Sequence, residues 1–204
     1  PLKLKFQNTM LIKDPKIKHS KDRSKNWSGI TLPWMSIGYE SELSPLHILT
    51  FYNAVANNGK MVCPQFVTDI KEGNIIIKSF DAVVVSEKIC SQKTIDIIRP
   101  YMKAVVDSGT AKNIKADKYS IAGKTGTCYV GGDQGSEEDQ RYMASFVGFF
   151  PAETPKYSCI VVIYDFINAK THFGSKVAAP VFKEISDKVA YKLDPASIRL
   201  RIDG

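Results

Sequence analysis

The tetrapeptide Lys124-Thr125-Gly126-Thr127 is the stretch of this chain whose residue types and spacing best suit chemistry. In an extended backbone alternate residues share a side, so the Thr125 and Thr127 hydroxyls face the same way beside the Lys124 ammonium. Gly126 between them lets another backbone approach closely. Such a set fits a ligand with a terminal carboxylate beside a reacting carbonyl. The hydroxyls and the charge hold the carboxylate, and a backbone N–H can face the developing oxyanion. The run Tyr119 to Lys124 reads as a strand, which puts the tetrapeptide at a strand end, where an active-site wall is placed. Standing alone, K-T-G is a short word, and a strand-end lysine is by default a solvated charge.

Other chemistries fit less well. Gly123-Lys124-Thr125 matches the end of the phosphate loop G-x-x-x-x-G-K-[ST], but its first glycine position holds Lys118 and the residues between are strand-like. No G-x-S-x-G elbow is present. Cys63, Cys90, Cys128 and Cys159 form no C-x-x-C pair, and the histidines form no H-E-x-x-H, so neither a metal site nor a cofactor is expected. Cys159 reads as a small core residue and Cys128 as a passive neighbour of the motif.

The elements that must position the motif belong to a globular chain. With 204 residues, 44% of them hydrophobic, disordered and collagenous readings are out and a sizeable core is within reach. No apolar run approaches the ~18 residues that cross a bilayer. Pro1 begins neither a translated start nor a signal peptide, so the chain reads as part of a longer one. The net charge of +7 permits an anionic partner. Much of it lies in Lys13, Lys16, Lys18, Lys21, Arg23 and Lys25, a stretch without the interleaved aromatics of nucleic-acid platforms. Residues 1–33 are therefore expected to be a basic loop and linker, with 34–204 forming the domain and no nucleic-acid partner.

Ser44-Pro45 starts a helix carrying Leu46, Leu49, Asn53 and Ala56, which Asn58-Gly59 stops. Gln65 to Ile70 and Asn74 to Phe80 flank Glu72-Gly73 as a hairpin. A second helix runs from Ser91 to Asp107, with Ile95, Ile98, Met102, Val105 and Val106 on its apolar face. Tyr119 to Lys124, Tyr142 to Phe150 and Ser158 to Phe166 are spaced as antiparallel strands. They are joined through Gly131-Gly132 with Glu137-Glu138-Asp139, and through Pro151 to Pro155. A closing helix from Ser175 to Tyr191 would cover the sheet with Val177, Val181, Ile185 and Val189. The sum is an α+β architecture, an antiparallel sheet flanked by helices.

Taken together, Trp34-Met35-Ser36-Ile37-Gly38-Tyr39-Glu40, Ser44-Pro45-Leu46, the run Phe51 to Met61, Ser108-Gly109-Thr110-Ala111, Ile121 to Thr127 and Tyr142 to Pro151 resemble, in that order, the later part of the transpeptidase domain in class B penicillin-binding proteins. The first of these stretches is worded most like cell-division enzymes of the Bacteroidetes type. The resemblance implies a serine β-lactamase-like fold and a peptidoglycan D,D-transpeptidase that works through a serine acyl-enzyme and is acylated by β-lactams. It implies that Lys124, Thr125 and Gly126 line the catalytic site, that Thr125 and Thr127 bind the carboxylate of a D-Ala-D-Ala stem peptide or β-lactam, and that the Thr127 N–H serves the oxyanion hole. The implied location is the periplasmic face of the cytoplasmic membrane, with an anchor upstream, the missing N-terminal part of the same domain as partner, and cell-division proteins as further partners.

The family also uses S-x-x-K and S-x-N. No serine of this chain has a lysine three residues later, so it holds no S-x-x-K nucleophile. Ser24-Lys25-Asn26 fits the letters of S-x-N but stands in the basic loop, where it reads as a chance match. Without nucleophile and base, K-T-G contributes binding groups and no covalent step. The alternative is a non-catalytic relative that keeps the fold as an interaction module in cell division.

Overall fold

The computed structural model describes residues 11–22, 25–131, 141–166 and 171–190. In chain order the elements are β1 (Leu11–Ile12), α1 (Thr31–Ser36), β2 (Ser41–Glu42), α2 (Pro45–Ala56), β3 (Met61–Val62), β4 (Asp69–Glu72), β5 (Ile75–Ser79), β6 (Val84–Ser86), α3 (Gln92–Asp107), a 3-10 turn (Lys112–Ile114), β7 (Ala122–Gly131), β8 (Arg141–Phe150), β9 (Tyr157–Phe166) and α4 (Gly174–Ala190). Among the described residues no helix is long and apolar enough to cross a membrane. The chain divides into two units, Pro1–Ile48 with Pro64–Asp81, and Leu49–Cys63 with Ala82–Gly204.

In the first unit β1 pairs antiparallel with β2, and Lys13 bonds Glu40 at 2.9 Å. β1 lies just ahead of the basic stretch, in which Lys16, Lys18 and Lys21 are exposed as a solvated segment would have them. Ser24, and with it the S-x-N letters, lies outside the described residues. β4 and β5 form the expected hairpin around Gly73, whose φ of +57° is the left-handed turn conformation that glycine adopts without strain. The helix starts also follow their caps. Ser44 Oγ accepts the His47 N–H at 3.3 Å at the head of α2.

The second unit holds the three-stranded sheet β7-β8-β9, antiparallel throughout, with a helical cluster on each face. On one face Ala122 and Phe149 pack with Val55, Ile95 and Met102 of α2 and α3. On the other, Phe146 and Phe150 pack with Ala178, Ala179 and Phe182 of α4 and with Ile114 and Ile121. α3 is capped by Ser91 Oγ, which accepts the Thr94 N–H at 3.2 Å. The Pro151 to Pro155 connection joins β8 to β9, where Arg99 donates to the carbonyls of Ala152 (3.2 Å) and Glu153 (3.1 Å). The Gly132 to Asp139 part of the other connection lies outside the described residues.

Two expectations are corrected. α4 buries Ala178, Ala179, Phe182, Ser186 and Ala190, while Val181 and Ile185 are 40% and 38% exposed. The helix is turned one position from the branched stripe Val177, Val181, Ile185 and Val189. Two alanines let it approach the sheet, and the Phe182 ring sets edge-on against Phe146 at 4.7 Å and Phe150 at 5.9 Å. The second correction concerns β7, which begins at Ala122 rather than Tyr119 and continues to Gly131. Tyr119 and Ser120 are engaged elsewhere. The Tyr119 hydroxyl donates to Asp187 Oδ1 at 2.8 Å, and Ser120 Oγ accepts the Ala152 N–H at 2.9 Å.

Candidate active site

Because β7 is longer than expected, Lys124-Thr125-Gly126-Thr127 lies inside the strand and not at its end. The four residues sit opposite Val147, Phe146, Ser145 and Ala144 of β8. β7 is an outer strand of the sheet, so its far edge has no strand beside it among the described residues. An edge of this kind presents backbone N–H and C=O groups to whatever arrives there.

Strand alternation sorts the motif onto two faces. Lys124 shares its face with Ala122, and Thr125 and Thr127 share theirs with Gly123. Lys124 is exposed, and its ammonium donates to the carbonyl oxygen of Thr125 at 2.9 Å, so the charge rests against the strand backbone. Glycines inside the strand are explained by what lies over them. A Cβ at Gly123 would stand 2.5 Å from the Phe146 ring, and one at Gly126 would stand 2.4 Å from Ser145 Oγ. Gly126 thus leaves room for the hydroxyl of its cross-strand partner.

The two motif hydroxyls are each held by a residue from a distant part of the chain. Thr125 Oγ1 lies 3.3 Å from Thr110 Oγ1, in the turn after α3. Thr127 Oγ1 accepts the backbone N–H of Gly174, the first residue of α4, at 3.0 Å. Accepting that bond leaves the Thr127 proton available to donate to an anion. The start of α4, where unpaired N–H groups concentrate partial positive charge, adds favourable potential at the same place. Asn113 Nδ2 donates to the Ser175 carbonyl at 2.8 Å and ties the 3-10 turn to this end of α4. Tyr142 extends the face, stacked on His172 at 4.2 Å and edge-on to Tyr129 at 5.8 Å.

Thr110, Asn113, Ser145 and Gly174 are site residues that the sequence reading did not pick out. A polar side chain near a helix end or a glycine ahead of a helix is a common feature, and nothing local says that it will meet β7. Cys128 contributes little chemistry, since burial pushes its thiol up from the ordinary value and keeps it protonated. Among the described residues no group of three or more His, Cys, Asp or Glu is placed to hold a metal ion.

The arrangement is an open-edged strand carrying K-T-G, framed by helices in an antiparallel sheet, and residues 2–187 match the penicillin binding protein transpeptidase domain family. The chain belongs to that family. The match takes in the basic segment as well as the sheet. Similar curated proteins include the peptidoglycan D,D-transpeptidase FtsI of Buchnera aphidicola, 28% identical over 81% of this chain and 27% of that protein. Another is the FtsI homolog of Mesostigma viride, 27% identical over 80% of this chain and 29% of that protein. The chain therefore spans less than a third of these relatives. Among solved structures, the TP domain of Burkholderia pseudomallei penicillin-binding protein 3 superposes with a TM-score of 0.66 at 28% identity, covering 84% of this chain and 49% of that one. Penicillin-binding protein 2B of Streptococcus pneumoniae, at 18% identity, shares the fold with a TM-score of 0.69 over 83% of this chain and 28% of that one. This transpeptidase-domain relationship and the antiparallel sheet with flanking helices agree with the fold and family expected from sequence.

Proposed function

We propose that this chain is the K-T-G-bearing part of a peptidoglycan D,D-transpeptidase, and that its share of the reaction is to hold the substrate carboxylate. The observation that carries the reading is the pair of hydroxyls on one face of an open-edged strand, with the Thr127 oxygen already accepting from the first amide of α4. In this reading Thr125 and Thr127 donate to the terminal carboxylate of a D-Ala-D-Ala stem peptide or to the carboxylate of a β-lactam. Lys124 supplies the attracting charge, and the Thr127 N–H faces the oxyanion. The scissile carbonyl is attacked by a serine contributed by S-x-x-K in the upstream part of the same domain. The parent protein works at the outer face of the cytoplasmic membrane, among cell-division proteins. We take residues 34–204 as the part that carries the sheet and 1–33 as the lead-in, and we read the Trp34 to Glu40 wording as that of the Bacteroidetes-type division enzymes.

Fluorescent penicillin tests the reading. The parent protein should be labelled covalently, and this chain by itself should not, because it carries no S-x-x-K serine. Stable labelling at a serine of the isolated chain would overturn the division of roles, and a parent that is never labelled would overturn the transpeptidase assignment in favour of an interaction module.

A further inference from the structure

We propose that Thr110 is a positioning residue for the substrate carboxylate, acting by fixing the hydroxyl of Thr125. The inference rests on the carboxylate-binding role given to Thr125 above.

Thr110 is placed by backbone and not by chance of side-chain packing. Gly109 ahead of it has no room for a Cβ, which would stand 2.8 Å from the Val105 Cα, and its N–H bonds the Ala104 carbonyl at 2.9 Å. Ala111 behind it is fully buried, and its N–H bonds the Val105 carbonyl at 3.0 Å. Clamped on both sides, Thr110 brings Oγ1 to 3.3 Å from Thr125 Oγ1 while remaining exposed.

A threonine hydroxyl has one proton and can turn about its C–O bond. If Thr125 is to donate to a carboxylate, its own oxygen is best served by accepting a bond from elsewhere, which orients the proton outward before the ligand arrives. Among the described residues, the Thr110 hydroxyl lies within reach to give that bond. The site then has a symmetrical logic. Thr127 accepts from the Gly174 amide, Thr125 accepts from the Thr110 hydroxyl, and both protons are left for the same anion. Positioning of this kind removes a rotational freedom that would otherwise be lost on binding.

The test is acylation of the full-length parent by benzylpenicillin, resolved into binding and chemical steps. Thr110→Val keeps the volume and removes the donor. It should weaken the binding step by about tenfold, the scale of one hydrogen bond to a charged acceptor, with thermal stability unchanged, and Thr110→Ser should recover most of the loss. Wild-type kinetics in Thr110→Val, with Thr127→Val slowed, would overturn this inference and leave the transpeptidase reading standing. A Thr110→Ser protein as impaired as Thr110→Val would also overturn it, because packing and not the hydroxyl would then matter. If Thr125→Val and Thr127→Val are both acylated normally, the carboxylate site itself fails and this inference with it.

Discussion

The amide of Gly174 donates to Oγ1 of Thr127 across 3.0 Å, joining the first residue of α4 to the last residue of the K-T-G-T run. The bond is possible because Gly174 has no side chain. A Cβ there would meet the carbonyl oxygens of Gly126 and Ser145 at 2.4 and 2.5 Å. The helix therefore starts directly on the backbone of the outer strand β7 and the central strand β8 at the motif.

Gly174→Ala should push the start of α4 off β7 and β8. Backbone oxygens cannot turn aside as a flexible side chain can, so a loss of about 1–3 kcal/mol is expected in chemical denaturation. The same variant should impair β-lactam acylation of the parent protein.

Thr127→Val removes the hydroxyl and leaves the strand its β-branched side chain. Thr127 is exposed, but its oxygen accepts the amide of buried Gly174, so stability should fall by about 1 kcal/mol. Acylation of the parent should fall by about tenfold or more, as expected for one lost bond to a charged acceptor. An unchanged acylation rate would remove Thr127 from the site.

The rotation of α4 is open to a paired test. Phe182→Ala empties the space against Phe146 and Phe150 and should cost about 3–5 kcal/mol. Ile185→Ala, on the half-exposed stripe, should stay near 0.5 kcal/mol. Equal losses at the two positions would mean that the helix presents its branched stripe to the sheet.

Asp187 makes stability depend on acid. Burial alone would raise its carboxyl, but hydrogen bonds from Lys183 and Tyr119, together with the Lys183 charge, hold it below its ordinary value of 3.8. A folded value below the unfolded one means that the unfolded chain binds more protons across that interval. The contribution is therefore fully present above pH 3.8 and is lost as pH falls through the lower folded value. Asp187→Asn should flatten the acid limb of a stability profile below about pH 4, and Tyr119→Phe should lower stability by about 1 kcal/mol at neutral pH.

Those elements that announce their own ends were legible in the sequence. Ser44 caps α2 as its hydroxyl suggests, and Asn58 and Gly59 take the positive φ values of 53° and 87° that stop α2. Lys124, Thr125, Gly126 and Thr127 were legible as a set of chemical types. What could not be read was what lies across from them. Phe146 and Ser145 occupy the space that the missing side chains of Gly123 and Gly126 leave. Thr110 and Gly174 enter the site through sheet register and helix docking, which no local spacing encodes. The buried face of α4 was misread for a related reason. Hydrophobic type favoured the branched valines and Ile185, whereas close approach to a sheet favours small residues around one large ring.

Among the described residues the outer edge of β7 has no strand beside it, which bears on strand pairing as well as on access to the motif. A ten-residue strand whose edge is left unpaired is a template for any other extended chain, including an unfolded copy of the same sequence. Covering it would suppress that hazard and also shut out a ligand that approaches along the strand. Charge at the edge is a way to satisfy both demands, because an exposed lysine must lose water before a second strand can dock. Lys124, exposed on this strand, is a charge of that kind.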